Sequence, residues 1–231
     1  MNETPSNTGM GPDEPVGSSR SNHRNRNMIM LGGLALVLVA GVVFAGVIPT
    51  GDRAGTIKSC TDSNTCAVGD IGPGGGLVFY DAGSAQLWGQ YLEMAPRTWS
   101  GGSNDPLYPW CNNDPVVNIP GTGKKLGWGA RNTEAVVEAC SDSAAQMAQA
   151  YDGGGKSDWF LLSEDELDIL STYVRNSSLS SSYAFDNEFY WSSTQEKNTE
   201  GRSAPSRKVN SGQDYVMRAW ISNSVRPVRA F

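Results

Sequence analysis

Apolar residues are distributed along this chain in three ways, and each predicts a different kind of element. Met28–Ile48 reads MIMLGGLALVLVAGVVFAGVI, without a charge, with Arg20, His23, Arg24 and Arg26 before it and Pro49, Gly51 and Asp52 after. As a helix it reaches about 30 Å, the thickness of a bilayer's hydrocarbon core. The arginines on its N-terminal side belong in the cytoplasm, so a single transmembrane helix is expected over 28–48, with everything from Pro49 onward outside. A cleaved signal peptide is the alternative, since Val43 and Ala45 are small residues before a possible cut at Gly46. The apolar run exceeds the roughly 7 to 15 residues of a signal core, and the polar segment before it is long, so a retained anchor fits better.

Short apolar and aromatic runs make up the second pattern and predict strands. Ile71–Gly76 is a glycine-rich turn before a buried strand, Leu77–Asp81, and Tyr91–Ala95 is its expected antiparallel partner, ended by Pro96. Phe189–Thr194, Lys208–Val209, Tyr215–Trp220 and Val225–Phe231 are further short strands with polar connections. Helical spacing is the third pattern. Ala135, Val136, Ala139, Cys140, Met147, Ala148 and Tyr151 predict a helix from Thr133 to about Tyr151, capped by Asn132 and breaking near Ser141–Ser143. Ser163 and Glu166 form a capping box for a second helix from Glu164 to about Arg175. Its first-turn acids, Glu164, Asp165 and Glu166, sit where the helix dipole favours them, which accounts for the cluster without metal or acid–base chemistry.

Between these elements, Arg97–Gly129 is a long loop region carrying Trp99, Tyr108, Trp110 and Trp128 among closely spaced Pro, Gly, Asn and Asp. Long loops in a compact domain usually serve function. Two glycine-rich stretches suggest phosphate loops, and both fail. Ile71–Gly76 is followed by a strand and no Lys-Ser/Thr, while Gly121–Lys125 lacks the first Gly and the Ser/Thr of the motif.

The resulting division is a disordered cytoplasmic tail over 1–27, the transmembrane helix over 28–48, a stalk over 49–69 and one domain over 70–231. The tail is rich in Asn, Ser, Gly and Pro and has too few large apolar residues to offset the entropy of ordering. A formal net charge of −6 argues against a nucleic-acid binder. The charge is uneven, with Arg202, Arg207, Lys208, Arg218, Arg226 and Arg229 opposed only by Asp214 over that stretch. A surface for an anionic polymer and arginines scattered on solvated strands both fit this pattern, the second better.

All four cysteines, Cys60, Cys66, Cys111 and Cys140, follow the anchor, which suits disulfides in an oxidising compartment. Three pairings are open. Cys60 with Cys66, closing a small loop in the stalk, and Cys111 with Cys140, tying the long loop to a helix, is the preferred one. A four-cysteine zinc site is the rival, but its usual ligand spacing is absent.

Several blocks in order, GPGGGLVFYD, Trp110-Cys111, GTG followed by NTEAVVEAC ending in Cys140, SDWFLLSEDEL, YWSST and the terminal VRPVRAF, resemble the Lcl C-terminal domain family, the C-terminal domain of the Legionella collagen-like adhesin. The resemblance covers about Ile71 to Phe231. It implies an α+β, C-type-lectin-like fold related to the formylglycine-generating enzyme fold: two helices against a twisted antiparallel sheet whose first and last strands pair. It also implies a binding or adhesion module, since the namesake domain binds sulfated glycosaminoglycan-type polysaccharides. The chain departs from the pattern in having no collagen-like Gly-X-Y segment. It also lacks the Glu-Pro-Asn, Gln-Pro-Asp and Trp-Asn-Asp motifs of calcium-dependent lectins, so calcium is not supported by motif and no cofactor is expected.

Three functions follow in order. The first is a membrane-anchored, extracellular and non-catalytic module binding carbohydrate or anionic polysaccharide. Trp99, Tyr108 and Trp110 would stack on sugar rings and Asn112, Asn113 and Asp114 would hydrogen-bond, unless the aromatics are core; Arg202, Arg207 and Lys208 are the contact set for an anionic ligand. The second is an envelope structural or protein-interaction module. Catalysis is weakest, because no cysteine follows Cys140, where the formylglycine-generating relatives carry their active-site pair, and the sole histidine, His23, is in the tail.

Overall fold

The run Trp159-Phe160-Leu161-Leu162 is apolar without alternation, and such a run is buried on both faces. In the computed structural model, which describes residues 58–60, 66–112, 118–197 and 199–231, Phe160 and Leu162 enter one core and Leu161 the other. Tyr190 and Trp191 divide in the same way. Adjacent strand residues point to opposite faces, so these two short runs form the partition between two cores.

The first core lies under a four-stranded sheet. The turn at Ile71–Gly76 leads into β1 (Leu77–Gln86), which pairs antiparallel with β2 (Gly89–Met94) across a bulge near Phe79. After β3 (Leu107–Pro109) come the helices α1 (Gly129–Ala139) and α2 (Ala144–Gln149), a short 3-10 turn at Gly153–Gly155, β4 (Trp159–Phe160) and the helix α3 (Glu164–Arg175). The strands β5 (Phe189–Trp191), β6 (Ser203–Lys208), β7 (Gln213–Arg218), β8 (Ser222–Ser224) and β9 (Val228–Ala230) complete the order. The first sheet runs β1-β2-β9-β4 and the second β3-β8-β5-β6-β7, with only β5–β8 parallel. α3 buries Leu167 and Leu170 against Leu77, Phe79, Leu92 and Val228 of the first sheet. The second core gathers Trp110, Val136, Ala144, Ala145, Ala148, Trp191 and Ala219 around a disulfide.

The architecture is α+β, as expected, and it differs from the expected plan in three respects. A third helix and a second sheet are present. The first and last strands do not pair, because β2 lies between them, and β9 is flanked by β2 and β4. The helix expected from Thr133 breaks where expected, with Ser143 capping α2 by accepting from Gln146 N at 3.2 Å, but it starts earlier, at Gly129. Asn132 is no cap. It is buried inside α1, where its amide accepts from Gly123 N at 2.9 Å and donates to Gly123 O at 2.6 Å.

Both preferred disulfides, Cys60–Cys66 and Cys111–Cys140, are present. The described end of the expected stalk belongs to the folded domain. Cys60 N donates to Ile71 O and Gly69 N to Val78 O, each at 2.8 Å, and the first disulfide packs on Val78, Tyr91 and Phe231. The expected tail, the transmembrane helix over 28–48 and the first part of the stalk lie outside the described residues. Among the described residues, no helix is long and apolar enough to cross a membrane.

Candidate functional site

The buried charges of the domain are committed to holding loops. Glu93, fully buried on β2, accepts from Gly74 N at 3.0 Å and Gly76 N at 2.9 Å, so the glycine turn folds around an internal carboxylate. Arg229 donates to the same carboxylate at 2.9 Å and to Asp158 at 2.5 Å. Burial pushes the Glu93 carboxyl above its ordinary range, with Arg229 and the glycine N–H groups opposing. Burial also works against the Arg229 charge, but Asp158 and Glu93 outweigh it and raise the guanidinium. Three residues before Arg229, Arg226 grips Asp105 through two bonds, at 2.6 and 2.5 Å, and Tyr190 donates to Asp105 at 2.7 Å. The capping Glu166 reaches further than its own helix, accepting from Ser163 N at 2.8 Å and from Gly127 N at 2.7 Å. It therefore pins the end of the long loop to α3.

Of the aromatic contacts expected for a sugar, Trp110 is wholly buried and donates to Ser192 O at 2.8 Å, leaving no face for a ligand ring. Trp99 is half-buried, bonded to Asp105 at 3.0 Å and set edge-on to Tyr151. Tyr108, also half-buried, donates to Asp142, and Asn112 donates to the same carboxylate at 3.2 Å. Asn113 and Asp114 lie outside the described residues.

The basic set splits. Arg207 and Lys208 are at the far end of β6, about 17 to 20 Å along the strand from Arg202 at roughly 3.3 Å per residue. Arg207 is neutralised by Asp168 at 2.5 Å and Asp214 at 2.7 Å, and Lys208 lies over the Phe189 ring. Arg226 and Arg229, which made this segment look basic, are the internal ion-pair partners already described.

Arg202 is different. It is exposed, and with Arg218, Thr199, Glu200 and Ser203 it lines a polar depression of about 440 Å³. Glu200 takes up part of its charge at 3.1 Å in an exposed, screened pair. Arg218 lies over the ring of Trp220, which is 54% exposed and so offers both an aromatic face and a neighbouring cation. The long loop reaches the same place, since Cys111 N donates to Ala219 O at 3.1 Å and Ala219 N to Arg202 O at 2.9 Å. The Cys111 turn of the long loop and the Arg202 end of β6 thus meet at Ala219. Arg218 and Trp220 were missed as a pair because the strand was expected to run through Trp220, whereas β7 ends at Arg218 and a turn to Ile221 swings the indole outward.

A second cavity, of about 270 Å³, lies along β7 and is lined by Glu164, Pro205, Ser206, Asp214, Tyr215 and Val216. Burial raises the Glu164 carboxyl; Lys124 opposes the shift, while Glu196, Asp165 and Asp214 add to it. Among the described residues no cluster of His, Cys, Asp and Glu is arranged to hold a metal ion. Compared with models of known protein families and with curated proteins, the sequence matches none.

Proposed function

We propose that the chain is an extracytoplasmic, non-catalytic ligand-binding module, tethered through 28–48, whose domain holds an anionic polysaccharide on Arg202, Arg218 and Trp220. The observation that carries this reading is two arginines lining one polar depression beside an exposed indole. Guanidinium forks match sulfate and carboxylate, and an aromatic face packs on a sugar ring. The motif blocks that resemble the Lcl C-terminal domain family point to the same ligand class, and the α+β architecture is in keeping with a C-type-lectin-like fold apart from its first and last strands, which β2 separates. No bound calcium is required.

The test is retention of the full chain, in detergent, on immobilised sulfated and neutral polysaccharides, with calcium or chelator, across a salt series. Retention on sulfated polymer should fall with salt, as charge contacts are screened, and should not respond to chelator. Exchanging Arg202 and Arg218 together for Ser should weaken retention at least tenfold, while Lys208→Ser leaves it unchanged. If the double exchange has no effect, the site is misassigned. The envelope protein-interaction reading draws on the exposed apolar residues Tyr215, Val216 and Ile221, and it takes over if no glycan retains the chain and cross-linking on cells recovers one protein specifically.

A further inference from the structure

β7 is the last strand of its sheet, paired on one side with β6 and on the other with nothing among the described residues. The register shows which of its backbone groups face that open side. Ala219 N donates to Arg202 O. In an antiparallel ladder the bonding positions alternate, so Met217, Tyr215 and Gln213, opposite Ala204, Ser206 and Lys208, bond to β6. Asp214, Val216 and Arg218 therefore turn their N–H and C=O groups outward. Val216 faces Pro205 at a non-bonding position, where the missing proline N–H costs the β6–β7 ladder nothing.

An open edge is a template for another strand, and the sequence of this edge specifies which strand. Asp214 and Arg218 stand symmetrically about Val216. If a second copy of β7 runs antiparallel with Val216 against Val216, the outward backbone groups of 214, 216 and 218 meet those of 218, 216 and 214. Each Asp214 then faces an Arg218 of the other copy. Asp214 also holds Arg207 of its own chain through Oδ1 at 2.7 Å, and a carboxylate can accept from a second guanidinium as well. A parallel neighbour in register would put like charges together. The pairing also brings the second copy against Tyr215 and Val216, both about half-exposed.

We propose that the free edge of β7 is a homodimer interface, a continuous sheet across two chains formed by antiparallel β7–β7 pairing centred on Val216. This is an isologous contact, in which one patch complements itself, and it is independent of the polysaccharide reading.

Cysteine cross-linking of the full chain in detergent tests it. All four native cysteines are in disulfides, so an introduced thiol is the only free one. Directly opposed residues at a bonded antiparallel position have Cα atoms about 5.5 Å apart, within disulfide reach. Val216→Cys should give at least tenfold more disulfide dimer than Leu87→Cys, a fully exposed control position. Asp214→Cys and Arg218→Cys should each give no more than that control alone, and a disulfide heterodimer when mixed. Equal dimer from Val216→Cys and Leu87→Cys overturns the interface, and Asp214→Cys cross-linking with itself as well as Val216→Cys does overturns the register.

Discussion

Gly74 and Gly76 direct their N–H groups at the Glu93 carboxylate, and the fit leaves no room for a side chain. A Cβ at Gly74 would lie 2.7 Å from both Glu93 Oε1 and the Trp159 ring, and one at Gly76 would lie 2.7 Å from the Met94 carbonyl oxygen. Gly74→Ala should therefore cost about 1–3 kcal/mol by overpacking. Glu93→Ala should cost more, about 3–5 kcal/mol, because it strands the glycine donors and leaves Arg229 with Asp158 alone. Denaturant unfolding of the two variants checks both the size and the order. The second buried carboxylate gives a pH prediction. Burial holds Glu166 above the ordinary glutamate value of 4.5, against the N–H groups of Ser163, Gly129 and Gly127. A carboxyl raised by folding binds its proton more tightly in the folded state, so its contribution is full below the unfolded value and is lost as pH rises through the folded one. The stability of wild type relative to Glu166→Gln should thus be greatest near pH ~4 and decline toward neutrality. A relative stability that grows with pH in paired urea titrations would reverse this assignment.

Among the elements, those whose determinants are local were legible in the sequence. The Ser163–Glu166 box lies within four consecutive residues, and the structure contains both of its reciprocal bonds. The β1–β2 hairpin follows from two apolar runs around a turn, and the cysteine pairs follow from their positions between loop and helix. Elements fixed from a distance were not legible. β3 and β8 are LYP and SNS, sequences with little strand propensity, and they exist because they pair with each other more than a hundred residues apart. Trp110 looks like a loop aromatic, but the Ser192 carbonyl that receives its indole is 82 residues away. Asn132 matches a cap by type, yet its partners are the backbone of Gly123 and the Ser193 hydroxyl. The Cys111–Cys140 disulfide connects these scales, since Cys111 N also holds Ala219 beside Arg218 and Trp220. Exchanging both cysteines for Ser should cost about 3–4 kcal/mol by loop-closure arithmetic, lowering the melting temperature by roughly 10 °C. Calorimetry measures that loss. The same variant should retain sulfated polymer less well below its melting point, because the turn that presents Trp220 loses an anchor.

Across the whole molecule, net charge is a poor guide to where an anion would bind. Five of the domain's acids hold three of its arginines: Asp105 with Arg226, Glu93 and Asp158 with Arg229, and Asp168 and Asp214 with Arg207. At the end of β7, Arg202 and Arg218 instead line one depression together. The polysaccharide site and the β7–β7 interface both draw on Arg218, and a guanidinium facing Asp214 of a second copy is less available to a sulfate. Binding sites that share a residue are coupled reciprocally: whatever one ligand costs the other, the other costs it in return. Sulfated polymer should therefore shift the full chain toward monomer, and Val216→Cys chains locked as a disulfide dimer should bind that polymer at least fivefold more weakly than the same chains kept reduced. Sedimentation with and without polymer reads the first effect, and salt-resolved retention reads the second. Equal retention of the locked and reduced forms would show that the two uses of Arg218 are compatible, with the depression still open when β7 is paired.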